Sequence, residues 1–136
     1  MPFGLVLSVL LAAVVAFLLG ALWYSPLLFA KAWVRAQGHT PEKVAAMQAK
    51  AARTYASSFV AFLVIAAVLR VFLAHLGVDS VHEGAGWGFH AWLGFAAPIG
   101  FTAHLYSDKP AAAFLIDTGY QLAYLTLMGA VLGMWL

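Results

Sequence analysis

The sequence predicts an all-α membrane protein with four transmembrane helices and a cytoplasmic amphipathic helical elbow between the first two. Composition is the first reason. Of the 136 residues, 65% are hydrophobic and only 9% are Asp, Glu, Lys or Arg, whereas a soluble domain carries about 25% charged residues. Seven basic and five acidic side chains cannot cover the surface of a soluble globule. They also cannot form the basic face that a nucleic-acid-binding protein needs.

The second reason is the length of the apolar runs. Crossing a bilayer takes about 20 mostly apolar residues. Four runs satisfy this rule, and we expect spans at about residues 3–23, 55–76, 86–106 and 111–136, within one domain over residues 1–136. The first run begins without Lys or Arg and stays apolar over its whole length. It therefore predicts a retained span and not a cleaved signal peptide.

The distribution of Lys and Arg predicts how the spans are oriented, because positive residues in short loops stay on the cytoplasmic side. Six of the seven lie in the first or third connection between spans: Lys31, Arg35, Lys43, Lys50, Arg53 and Lys109. The second connection and the two chain ends carry none. We therefore expect both termini outside the cytoplasm and the long first connection inside it.

That first connection predicts the elbow. Over residues 27–37 we expect a short helix on the inner leaflet, with Phe29 and Trp33 on one side and Lys31 and Arg35 on another.

A second elbow helix is predicted after Gly38, which ends the first. Thr40, Pro41 and Glu42 have the residue types of an N-cap, a first-turn proline and a first-turn acid. We expect this second helix to continue without a break into the second span.

Small residues predict how the helices pack. The first span carries them at every fourth position, namely Gly4, Ser8, Ala12, Ala16 and Gly20, which lets a second backbone approach closely. We favour a packing seam over a lipid-facing stripe. Gly129 and Gly133 form a similar pair near the end of the fourth span. Such seams make a homo-oligomer the expected assembly.

Asp117 is the main candidate for chemistry, because an ionisable residue inside a span is costly. Tyr120, Gln121 and Tyr124 follow it on the same helix face. At similar depth on other helices we expect three supporting residues, His104, Tyr24 and Ser58. Two hypotheses stay open. One is a polar pocket that opens toward the cytoplasm, and the other is an acid that only holds the helices together.

Arg70 and His90 form a second candidate cluster toward the outer side. At 1.5 Å per residue, Arg70 lies about 14 Å in depth from Asp117, too far for a pair. We expect its side chain to extend outward to water or to Asp79 and Glu83. The outer loop also contains His75 and His82, but the spacing matches no strong metal motif. We therefore expect no metal and no cofactor.

The segment Gly-Ala-Leu-Trp-Tyr-Ser-Pro at residues 20–26, followed by Phe29, Lys31 and Trp33, resembles a family of small bacterial membrane proteins. That family is catalogued as domain of unknown function 1761. Gly119 and Tyr120, ahead of Gly129, are similar to it as well, so the resemblance extends over essentially the whole chain. It implies four spans and a bacterial inner (cytoplasmic) membrane. It transfers no catalytic residue, since the family has no settled activity.

Familiar enzyme motifs are missing from the sequence. It has no cysteine, no Gly-rich phosphate loop, no His-Glu-x-x-His and no Ser between glycines. Our first hypothesis is therefore a non-enzymatic, oligomeric interaction or scaffold protein. The alternative is a proton- or ion-coupled carrier that binds a small solute through Asp117. A third hypothesis, an enzyme acting on a lipid or quinone, requires a deep pocket at His104 or His90. Besides the solute, the expected partners are the lipid bilayer and a second copy of the chain.

Overall fold

A computed structural model describes residues 3–136, and this part of the chain is helical without a β-strand. In chain order the helices are α1 (Phe3–Trp23), α2 (Ala30–Gln37), α3 (Pro41–Ala49), α4 (Ala51–His75), α5 (Val81–Ala91), a π-helical turn (Trp92–Ala96), α6 (Ala97–Leu105) and α7 (Ala111–Gly133). Two of them, α1 and α4, are long and apolar enough to cross a membrane. These two helices include the first two predicted spans, except for the last residue of the second.

Helix α1 packs through its small residues. Ser8, Ala12 and Ala16 are fully buried where α1 meets α4 and α7. Gly20 continues the stripe, since a Cβ added there would lie 2.6 Å from the hydroxyl of Tyr120. The stripe is therefore a packing seam, as predicted, but its partners are helices of the same chain.

The elbow consists of α2 and α3. Gly38, with φ +71°, ends α2 in the left-handed conformation that glycine adopts without strain. Thr40 is the N-cap of α3, because its hydroxyl accepts a hydrogen bond from the Lys43 backbone N–H across 3.2 Å. The first helix begins at Ala30, three residues later than predicted.

The expected continuous helix from the elbow into the second span is wrong. The chain leaves helical geometry at Lys50 (φ −103°, ψ 8°), which separates α3 from α4. No residue of α3 is buried, so no packing holds it in line with the membrane-length helix that follows.

The third predicted span is a helical rod over residues 81–105 that contains a π turn. It begins five residues earlier than expected, because Ser80 caps α5 by accepting a hydrogen bond from the Glu83 backbone N–H. His82 and Glu83 therefore belong to the first helical turn and not to a loop. Pro98 lacks an N–H, and the Ala97 N–H donates to the Trp92 carbonyl five residues back.

Glycines bring α5 and α7 into direct backbone contact. A Cβ added to Gly84 would lie 2.0 Å from the Gly129 carbonyl oxygen, and one added to Gly88 would lie 2.1 Å from the Leu125 oxygen. Gly133 meets the Ser80 carbonyl in the same way. The glycine pair predicted as an association face is thus covered within the chain.

Helix α7 is the central helix of the fold. It contacts α1, α4, α5 and the α6 segment, and ten of its 23 residues are buried. The core combines α7 side chains such as Met128 and Leu132 with Leu73 of α4, all fully buried. Asp117 therefore lies on the helix that most of the structure holds in place.

Candidate functional site

Asp117 and Tyr24 form the polar centre of the site. The Tyr24 hydroxyl donates a hydrogen bond to Oδ1 of Asp117 across 2.6 Å. Tyr24 directly follows α1, and Asp117 lies in the second turn of α7. A carboxylate can accept several hydrogen bonds, so Asp117 retains acceptor capacity after the tyrosine is bound.

Two tryptophans fix α7 on either side of Asp117. Trp23 Nε1 donates to the Ile116 carbonyl across 3.0 Å. Trp92 Nε1, from the π turn, lies 2.9 Å from the Thr118 carbonyl and 3.1 Å from its hydroxyl. A helical carbonyl has a second lone pair available for such a bond. The backbone next to the acid is therefore held from both flanking residues.

An aromatic cluster forms the inner wall. Tyr120 donates its hydroxyl to the Ala16 carbonyl across 2.6 Å, and its ring lies 5.4 Å from Tyr24 and 4.8 Å from Tyr124. Phe62 of α4 packs on Tyr124 with ring centroids 5.2 Å apart. The two tyrosines predicted beside Asp117 are thus buried in helix contacts, and the Tyr120 ring packs against Tyr24, the partner of the acid.

On its other side Asp117 lines a cleft of about 290 Å³ between α6, α7 and the connection that joins them. Its volume is near the lower end for small-molecule sites, which begin at about 300 Å³. The polar residues that line it are Asp117, Thr118, Gln121, His104, Ser107, Lys109 and Gln37. This set offers a carboxylate, amides, a hydroxyl, an imidazole and an ammonium group to a ligand.

Gly100 and His104 shape the α6 wall of the cleft. A Cβ on Gly100 would lie 3.4 Å from the Phe114 ring and 4.0 Å from the Gln121 side-chain oxygen, so the glycine keeps space open there. The His104 ring stacks on Phe114, with centroids 5.4 Å apart. His104 and Gln121, both predicted as site residues, are therefore brought together with Asp117 around one cavity.

Lys109 connects the edge of the cleft to the elbow. Its ammonium group donates to the backbone carbonyl of Gln37, the last residue of α2, across 2.6 Å. Sequence analysis did not assign either residue to the site. The only available signal was a lysine in a short connection, and this does not specify which helix end the lysine reaches.

Ser58, predicted as a supporting residue, is not brought to the cleft by the structure. It does not line the cleft, and no hydrogen bond joins it to the Asp117 cluster. The reason is the register of α4, which reaches the tyrosines of α7 through Phe62, one turn later in the chain.

Arg70 and His90, predicted as an outer cluster, share no hydrogen bond in the part of the chain that the structure describes, and neither lines the cleft. His90 is exposed, and its Nδ1 bonds to the Gly86 carbonyl of its own helix. Arg70 is half-buried, and its Nη1 is buried without a hydrogen-bond partner among the described residues; the outward extension of this side chain stays a prediction. Within residues 3–136, no three His, Asp or Glu side chains converge as a metal site.

Comparison with known proteins gives one match. A family model described as a protein of unknown function (DUF1761) matches residues 7–133. No curated protein and no solved structure matches the chain. The matched range includes all the cleft residues named above.

Proposed function

The chain belongs to the DUF1761 family, which has no known function, and from this premise we propose that it is a multi-pass membrane carrier. In this proposal Asp117 binds a small polar solute in exchange for a proton. The observation that carries the proposal is the position of Asp117, which accepts the Tyr24 hydroxyl on one side and lines the cleft on the other.

In this proposal the cleft lies within a bundle of four membrane-spanning helices. Helices α1 and α4 have the composition of spans. The rod over residues 81–105 and α7 are 25 and 23 residues long, and at 1.5 Å per residue each exceeds the hydrocarbon core of about 30 Å. The Lys and Arg distribution supports a cytoplasmic elbow with both termini outside. The bacterial inner membrane as the location rests on the family resemblance alone.

Solute and proton compete for the Asp117 carboxylate, and this competition couples the movement of one to the movement of the other. Oδ1 is held by Tyr24, so the bond to the protein remains when the carboxyl group exchanges its other partner. A cation or hydrogen-bond donor in the cleft stabilises the ionised acid, whereas a proton replaces that ligand. Binding of solute therefore releases a proton, and protonation releases solute.

A transport assay tests the proposal. Proteoliposomes loaded with a pH-sensitive dye receive a gradient of guanidinium or methylammonium, two small cations that suit a carboxylate. We expect proton movement with the native chain, none with Asp117→Asn, and full movement with Asp79→Asn, which neutralises an exposed acid outside the cleft. Proton flux that survives Asp117→Asn contradicts the proposal.

An oligomeric scaffold is the second candidate. It is supported by an apolar face of α4 that the chain leaves uncovered, where Val60, Val64 and Val68 are 59%, 58% and 47% exposed at four-residue spacing. It ranks second because both small-residue seams are occupied by helices of the same chain. Mass determination in detergent tests it, with Val64→Trp expected to shift an oligomer toward monomer.

A further inference from the structure

The elbow contains a second cleft, separate from the Asp117 site. It lies between α2 and α3, is shallow and wide open, has a volume of about 380 Å³, and is lined by Ala30, Lys31, Val34, Arg35 and Val44. Its floor is apolar, and both of its polar side chains are cations. No acidic residue within residues 3–136 lines it.

The two cations lie on one side of α2. Lys31 and Arg35 are four residues apart, which places them one turn apart on the helix surface. The opposite side of α2 faces the protein, since Ala36 is buried and the Trp33 ring packs against Tyr24 at 5.7 Å. Like charges at this spacing repel each other, and an anion between them removes that repulsion.

The chain just before the helix is unusually apolar for a surface. Leu27 is 84% exposed and Leu28 is 48% exposed. Exposed leucines next to a basic helix face are typical of helices that lie in the membrane interface, with the apolar side chains in the lipid and the cations at headgroup level.

We infer that the groove of Lys31 and Arg35 binds the phosphate of an anionic phospholipid. The guanidinium offers paired N–H donors to phosphate oxygens, and the ammonium adds a point charge one turn away. Val34 and Val44 contact the apolar part of the same lipid below the headgroup. Charge complementarity favours an anion, and the exposed leucines favour a membrane lipid over a soluble phosphate.

Lipid binding to the purified chain in neutral nanodiscs tests this inference. Phosphatidylglycerol is titrated in, and bound lipid is counted by native mass spectrometry. A Lys or Arg near an anionic surface contributes about fivefold in affinity, so Lys31→Gln with Arg35→Gln is expected to weaken binding about 30-fold. Lys50→Gln with Arg53→Gln removes the same charges outside the groove and is expected to leave most of the affinity.

The remaining comparisons separate lost charge from lost folding, and a lipid site from a site for free phosphate. Lys31→Arg with Arg35→Lys keeps both charges and is expected to retain binding, which separates lost charge from lost folding. Equal losses in the two Gln pairs would mean general surface attraction and would overturn the inference. Equal occupancy by inorganic phosphate would overturn it as well.

The inference rests on the membrane location proposed above, and the two can fail separately. A chain that does not enter neutral nanodiscs contradicts the membrane proposal. A chain that enters them but shows no preference for phosphatidylglycerol contradicts only the lipid site.

Discussion

The hydroxyl of Tyr24 and the carboxylate of Asp117 are joined across 2.6 Å, although 93 positions separate them in the chain. This bond connects the end of α1 to the second turn of α7. Because Asp117 also lines the cleft, any change at Tyr24 is transmitted to the acid that a ligand meets.

Replacing Tyr24 by Phe removes only the hydroxyl that donates to Asp117. We expect the free energy of unfolding to fall by about 1–3 kcal/mol, because a partly buried acceptor loses its partner. Denaturant unfolding in detergent measures the loss. Tyr55→Phe is the matched control, since Tyr55 is 59% exposed and its ring packs edge-on against Phe17. An equal effect of the two substitutions would contradict the role given to Tyr24.

Gly84→Ala tests the backbone contact between α5 and α7. The new methyl group would lie 2.0 Å from the Gly129 carbonyl oxygen, so the helices must separate. We expect a loss of at least about 1–3 kcal/mol, the usual cost of overpacking. Gly86→Ala, on the same helix with nothing within 4 Å of the added Cβ, is expected to stabilise by up to about 1 kcal/mol. Similar unfolding midpoints for the two variants would argue against close packing.

Lys109→Met breaks the bond to the Gln37 carbonyl while keeping a long side chain. The end of α2 then loses about 1 kcal/mol of local stability, so hydrogen exchange at the Gly38 and His39 amides should accelerate about fivefold. Lys43→Met changes an exposed lysine outside both clefts and should leave exchange unchanged at these amides. Unaltered exchange in the Lys109 variant would show that α2 is held without this bond.

Trp92→Phe removes the indole N–H that donates to the Thr118 carbonyl. Because the Thr118 carbonyl keeps its helical bond, we expect a modest loss of about 0.5–1.5 kcal/mol. Trp87→Phe, at a 41% exposed position, provides the comparison. Thermal unfolding in detergent distinguishes them, and a Trp92 variant as stable as the Trp87 variant would contradict the proposed anchoring.

Hydropathy alone predicted the long helices well. The bounds of α1 agree with the prediction, and α7 begins at Ala111 as expected. Apolar run length carries this information directly, because it is read from the sequence and does not depend on contacts between helices. The helix break at Lys50 was not predicted, because it depends on what packs against α3. The π turn was not predicted either, because it depends on a single proline.

The candidate site was predicted in part. Asp117, Gln121 and His104 line one cavity, and Tyr24 bonds to Asp117 behind it, because depth along straight helices can be counted from the sequence. Ser58 does not line that cavity, since depth along a helix says nothing about how the helix is rotated. The hydrogen bonds from Trp23 and Trp92 to carbonyls of α7 also depend on helix rotation, so they were not predicted. Helices that are apolar on every side give little rotational signal.

The π turn at Trp92–Ala96 divides one rod into two halves that are held very differently. Helix α5 is fixed against α7 by its glycines, whereas α6 has no buried residue. The cleft therefore has one wall, α7, that is packed on several sides, and one wall, α6, that is held mainly by the rings of Phe101 and His104 on Phe114. We expect a ligand that widens the cavity to displace α6 and not α7, with the bend located at the π turn.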